Sequence, residues 1–337
     1  MTSNISSPIK IFEFDFLRAM ATIMLMFHHS DAYGLSLFGF SLQNFAPYFE
    51  AVLLGLFFFI SGYFFARSFQ RHKQTGISFF FSRLLRIFPP YLFALFLYMF
   101  VMEISFRKKD LFIYVLGTQF LFTPNFTKPV VTIWFVSAIL LFYLIFAVLL
   151  AKTRSAKELI IDAGLVFAGA YALHFWTGLI DERLYKYFIV FLIGILFTRL
   201  VFLSKNLSGE QILVKFIIAV LSTYIYSYAL NLNPTSPLYI LGTTLFIISW
   251  AVLLFALAAK IKFPFIMEAA ALVSYLSFFA YLLHRPIWHW LVRVFSIESS
   301  RDQIFFKLFP GLMVVFILSY FLQYGYDRLL GVVRQTK

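Results

Sequence analysis

Between Ile11 and Ser30 the chain reads IFEFDFLRAMATIMLMFHHS, a run long enough to cross a bilayer that still carries Glu13, Asp15, Arg18, His28 and His29. A charge at the centre of a spanning helix costs roughly 2.5–3.5 kcal/mol on insertion scales, so such residues point to function. Helical geometry sorts them. Arg18 and His29 stand 11 residues apart, which at about 100° per residue leaves them about 20° apart around the axis, whereas His28 is rotated about 80° from Arg18. Asp15, Arg18 and Thr22 follow i, i+3, i+7 spacing, so a polar stripe climbs toward His29, about 16 Å beyond Arg18. An imidazole titrates near pH 6.5 in water and suits proton transfer at neutral pH. The plainer alternative is a snorkelling Asp15–Arg18 pair, with both histidines among the outer headgroups.

Two further loci carry chemistry. Arg67, Arg71, Lys73, Arg83 and Arg86 form the most basic segment, and Pro89-Pro90 then disturbs the start of the third apolar run. Arg83 and Arg86 are one turn apart and suit a multiply charged phosphate ligand, although by charge count alone a positive-inside anchor for anionic lipid is the better explanation. Late in the chain, Ser274, Ser277, Tyr281 and His284 recur at i, i+3, i+7, i+10 on one helix face. If that helix runs outward, His284 reaches the depth of His29. Arg285 and Pro286 follow at once, as if the helix bends there. Trp288, His289 and Trp290 fit an interfacial aromatic belt. Packing and belt roles account for Trp134, Ser137 and Tyr143 in the apolar stretch VTIWFVSAILLFYLIF. His72 and His174 have no evident partner in the sequence. There is no cysteine, no H-x3-H or carboxylate cluster and no Gly-rich phosphate loop, so no metal site is expected.

These residues need a membrane framework to position them. Of 337 residues, 62% are apolar and 13% are charged, against about 25% charged in soluble domains. The expected fold is all-α, a polytopic transmembrane bundle in one domain over residues 1–337. Ten spans are predicted near 11–30, 47–66, 84–103, 131–151, 159–177, 184–203, 211–230, 238–259, 267–292 and 304–325. With both termini cytoplasmic, 17 lysines and arginines lie inside and 9 outside. Counting the 12-residue run Leu111–Phe122 as an eleventh span gives 12 inside and 14 outside, so this run is read as interfacial or re-entrant. The first helix is read as an uncleaved signal anchor. The net charge of +13 is spread through short loops, which topology explains better than nucleic-acid binding does.

Several segments, in order from residue 11 to about 290, resemble the family-3 membrane acyltransferases. FDFLRAMATIMLMFHH is similar to that family's opening helix, with Arg-x10-His carried by Arg18 and His29. FFFISGYFF matches its Phe-Phe-x-x-Ser-Gly segment at Ser61 and Gly62. FFFSRLLRIFPPYL matches its Arg-x-x-Arg segment at Arg83 and Arg86, and WFVSAILLFYL matches its Trp–Tyr helix at Trp134 and Tyr143. SYLSFFAYLLHRPI matches its late Ser-Tyr-x-x-Tyr-x-x-His-x-Pro-Ile segment at Ser274, Tyr281 and His284. Gly55 stands where many relatives have Asp, and Ile139 and Leu140 stand where many have a Glu pair.

The resemblance implies transfer of an acyl group, usually acetyl and sometimes succinyl, from cytoplasmic acyl-CoA to a hydroxyl of an extracytoplasmic glycan or lipid-linked sugar. Arg83 and Arg86 would hold the CoA phosphates, with Arg18 guiding the donor inward. His29, supported by His284 or Tyr281, would act as general base or as the nucleophile of an acyl-histidine relay. Ser61, Trp134, Tyr143 and Ser277 would line the substrate path. The expected setting is a bacterial cytoplasmic membrane, with lipids and a second copy of the chain as further partners. The esterase-like extension of some relatives is not expected. A rival reading is a glycan or lipid-linked sugar exporter, whose inverted repeat or paired broken helices are not evident here. A structural partner in a polysaccharide-synthesis complex would leave the Arg18–His29 stripe unexplained.

Overall fold

The structure is a computed structural model and describes residues 11–37, 40–71, 76–122, 125–127, 130, 132–198 and 208–335. Lys10, His72, Lys73, Lys128, Arg199, Lys205 and Lys337 lie outside the described residues. Long apolar runs free of turn residues fold into helices in chain order: α1 (Phe12–His29), α2 (Ala46–Arg71), α3 (Gly76–Phe100), α4 (Lys108–Val115), α5 (Gln119–Phe122), α6 (Trp134–Lys152) and α7 (Ala156–Thr177). There follow α8 (Arg183–Phe197), α9 (Gly209–Ala229), α10 (Pro237–Ala258), α11 (Pro264–Val294), α12 (Ser300–Leu308) and α13 (Pro310–Gln335). Serine hydroxyls at positions 155, 208, 236 and 299 cap α7, α9, α10 and α12 by accepting first-turn N–H groups. One short antiparallel pair, Ser36–Leu37 with Phe40–Ser41, is the extent of strand structure among the described residues.

The protein is thus an all-α bundle; nine of the ten expected spans each overlap one helix among the described residues, and the tenth, 304–325, overlaps both α12 and α13. Among the described residues, seven helices are long and apolar enough to cross a membrane, and α12 with α13 makes an eighth as a pair bent by 40°. The other two are α1, which carries Glu13, Asp15 and Arg18, and α8, which has 15 residues. Leu111–Phe122 does not form a span; it folds into the short α4 and α5.

Several boundaries differ from expectation: α2 runs on to Arg71 and α13 to Gln335, and two starts are displaced. α3 begins at Gly76 and runs unbroken through Pro89 and Pro90, because a neighbouring side chain serves the carbonyls that these prolines leave without donors. The last span begins at Pro310 rather than near 304, because proline cannot continue the hydrogen bonding of α12.

The helices divide into an inner and an outer set. In the apolar window of α2, 72% of residues are buried, against 11% in α7 and 22% in α9, which places α2 inside and leaves the other two facing lipid. α2 crosses α8 closely at Gly62 and Gly194. A Cβ on Gly62 would overlap the Phe191 carbonyl oxygen, and one on Gly194 would overlap that of Phe59. The Ser-Gly pair therefore has a packing cause, since Gly62 seats α2 on α8. Gly55 is likewise pressed against Ile247 of α10, so this position has no room for a carboxylate.

Candidate active site

The stripe on α1 faces α11. Asp15 accepts a hydrogen bond from Ser274 Oγ at 2.8 Å, and His29 Nδ1 lies 2.7 Å from His284 Nε2. Each helix contributes its N-terminal partner to the first contact and its C-terminal partner to the second, so α1 and α11 run parallel. The carboxylate of Asp15 is held by Ser274 rather than in an ion pair with Arg18, which sets aside the snorkelling-pair reading of that residue. The two histidine rings are nearly coplanar, with centroids 4.9 Å apart and planes 4° apart, so the hydrogen bond runs edge to edge between them, and His284 is fully buried.

The hydrogen bonds assign the protons. His284 Nδ1 faces the carbonyl oxygens of Tyr281 at 2.9 Å and Ala280 at 3.1 Å. Carbonyl oxygens only accept, so Nδ1 of the neutral ring carries the proton and Nε2 presents a lone pair. His29 Nδ1 must then donate to it, leaving the lone pair of neutral His29 on Nε2. No bond to that Nε2 occurs among the described residues. His28, on another face of α1, packs edge-on to Tyr33 with centroids 5.3 Å apart, and its Nδ1 is buried without a partner. The geometry separates the adjacent histidines as their helical angles predict.

Tyr281 contributes differently from expectation. Its hydroxyl donates to the carbonyl oxygen of Thr132, so it supports His284 through its backbone carbonyl alone. Thr132 has φ 94°, an uncommon conformation for a β-branched residue. Trp134 also stands apart. Arg183 lies over its indole at 3.9 Å and Phe120 stacks on it at 5.9 Å, so it is packed rather than open to a ligand. His174 bonds through Nδ1 to the carbonyl oxygens of Ile180 and Leu179, at 2.8 and 3.1 Å.

Toward the N-terminal end of α1 the structure opens into a cavity of about 560 Å³. Arg18, Arg67, Arg71, Arg83 and Arg86 line it, with Ser61, Tyr143 and Ser277 at its inner side. No carboxylate is among the described residues lining it. Arg83 donates to Ser68 Oγ, and Arg18 lies 5.2 Å from the Phe64 ring centroid. A second space of about 160 Å³ shares Arg18, Ser61, Tyr143 and Ser277 and continues to Tyr281, with Phe135 and Ile139 making its walls largely apolar. It ends beside the residue whose carbonyl holds His284. The expected positions Arg18, Arg83, Arg86, Ser61, Tyr143 and Ser277 thus meet around one path, with His29 and His284 beyond its inner end.

Sequence reasoning did not single out Gln323 and Tyr326 of α13, or Tyr275 of α11, which complete the basin wall. A buried Gln with a Tyr three residues later is the available signal, but only the packing of α13 on α11 shows where that face points.

A helical membrane bundle with a cationic basin, an apolar neck and a paired histidine defines the general class. Residues 11–324 match the acyltransferase domain, and the chain belongs to the acyltransferase 3 family of integral membrane proteins. No curated relative and no solved structure matches it.

Proposed function

We propose that this acyltransferase moves an acyl group, most simply acetyl, from acyl-CoA bound in the arginine basin to a hydroxyl of a glycan or lipid-linked sugar. The observation that carries this reading is that the five-arginine basin runs into an apolar neck ending at Tyr281, whose carbonyl oxygen holds His284 of the hydrogen-bonded His29–His284 pair. Five guanidinium groups without a lining carboxylate repel one another and favour a polyanion such as the phosphates of CoA. The narrower space suits an uncharged, flexible arm carrying a thioester. Arg18 lies about 16 Å along α1 from His29, a separation that an extended arm of this kind spans.

In the proposed reaction His29 Nε2 takes the proton of the acceptor hydroxyl, whose oxygen attacks the thioester carbonyl carbon. The C–S bond then breaks, the ester forms, and the departing thiolate recovers the proton from His29, so that acyl-CoA and alcohol become ester and free CoA. His284 fixes the tautomer that leaves Nε2 basic. Arg83 and Arg86 grip the donor phosphates, while Ser61, Tyr143 and Ser277 border its path. The basin faces the cytoplasm of a bacterial inner membrane in this reading, and the histidine pair faces the acceptor side.

The test is release of free CoA from acetyl-CoA by purified protein supplied with envelope glycans, with mass analysis of the glycans. Acceptor-dependent release and a mass gain of one acetyl group are expected. Bound glycan without CoA release would favour a transport role and contradict the proposal.

A further inference from the structure

Consecutive prolines inside a helix leave consecutive carbonyls unserved. In α3, Pro89 and Pro90 lack the N–H groups that would bond to the carbonyl oxygens of Leu85 and Arg86, four residues earlier. Those two oxygens meet one outside donor. Tyr326 Oη, on α13, lies 3.0 Å from the Leu85 oxygen and 3.2 Å from the Arg86 oxygen. The neighbouring Asp327 accepts a hydrogen bond from Tyr275 of α11 at 2.8 Å, which holds this turn of α13 in place. Tyr275 and Tyr326 both line the arginine basin. Arg83 and Arg86 project from the turn of α3 that these carbonyls belong to. Tyr326 and Asp327 lie beyond the stretch matched by the family.

We propose that Tyr326 is a positioning residue of the donor site: its hydroxyl supplies the hydrogen bond that Pro89 and Pro90 remove from α3, and so holds the Arg83–Arg86 turn in shape for an anionic ligand. Without that hydroxyl, two carbonyl oxygens with partial negative charge lose their donor at the basin wall, and the helix loosens just where the arginines emerge. The ring of Tyr326 has a separate packing role, which phenylalanine retains. The inference rests on the donor reading given above for the ligand, but its structural half stands on α3 alone.

The experiment compares Tyr326→Phe in two backgrounds, the native chain and a Pro89→Ala, Pro90→Ala chain in which the N–H groups of α3 are restored. Binding of free CoA is measured by titration, and amide exchange across α3 is measured without ligand. In the native background CoA binding is expected to weaken about three- to tenfold, the scale of one hydrogen bond, and amide exchange around residues 85–95 to rise. In active preparations the KM for donor rises while kcat is little changed. In the alanine background the same Tyr326→Phe change is expected to weaken binding less than twofold and leave exchange in α3 unaltered. Equal losses in the two backgrounds, or no loss in either, would overturn the proposal. If the native chain does not bind CoA, the donor reading fails, and exchange in the two backgrounds decides the structural claim by itself.

Discussion

At one end of the α1 stripe, five arginines border about 560 Å³ of open space; at the other, a fully buried His284 is hydrogen-bonded to His29. The basin is bordered by side chains from α1, α2, α3, α11 and α13, tied across helices by bonds such as Arg83 to Ser68 and Tyr326 to α3. The histidine pair is held tightly, by backbone carbonyls of the helix that carries it. Buried polar atoms without partners also gather near the pair, including His28 Nδ1, the Tyr33 hydroxyl and the indole N–H of Trp288. Such groups are costly to leave unpaired and persist where a substrate or a closing motion serves them. In the proposed reaction, binding and proton transfer fall to separate ends of one helix pair, with an apolar neck leading inward from the basin. Substitutions at the two ends should therefore fail in different ways.

The largest expected effect breaks the reactive end alone. His29→Ala removes the base and lowers acyl transfer by about 10²- to 10⁴-fold, while CoA still protects the protein against heat. His284→Ala leaves His29 without the acceptor that fixes its tautomer. It lowers kcat by about 10- to 100-fold, on the scale of losing an orienting partner, with the donor KM nearly unchanged. At the other end, Arg83→Ala or Arg86→Ala weakens donor binding by about tenfold or more, since each removes a charge-assisted contact. Here kcat is the parameter that holds, and added salt narrows the gap between variant and native. Loss of kcat without loss of binding in an arginine variant would erase the division of labour.

The smallest effect lies away from the path and serves as its control. Hydrogen bonding from Arg107 at 2.8 Å holds the Asp110 carboxyl below its usual range. A lowered folded-state value stabilises the protein above the ordinary carboxylate range, and this contribution disappears as pH falls through the folded value. Arg107→Gln should slightly lower Tm at neutral pH and leave it unchanged in strong acid, with acyl transfer unaffected throughout. Thermal melts at the two pH values check this.

How much of this was legible in the sequence follows from how local each feature is. Arg18 and His29 share a helix, and Ser274 and His284 share another, so period alone placed each set on a face. That the two faces meet required only that both helices run the same way, which the topology predicted. The continuity of α3 through Pro89-Pro90 was not legible, because local propensity argues against it and the rescuing donor sits more than 200 residues away. The way Tyr281 meets the site was not legible for a similar reason: its spacing points to the site, where its carbonyl oxygen holds His284, but the carbonyl oxygen of Thr132, in another segment, claims its hydroxyl. Trp134 stands in the right order for a substrate contact, yet Arg183 lies over its indole, Phe120 packs beside it and the residue is buried.

In the proposed reaction the donor binds at one end of the stripe and reacts at the other. CoA binding and acyl transfer on the same preparation of His29→Ala, with glycan acetylation read by mass, test this most directly. Native CoA affinity together with loss of transfer is expected. Retained transfer in that variant would contradict the proposed reaction.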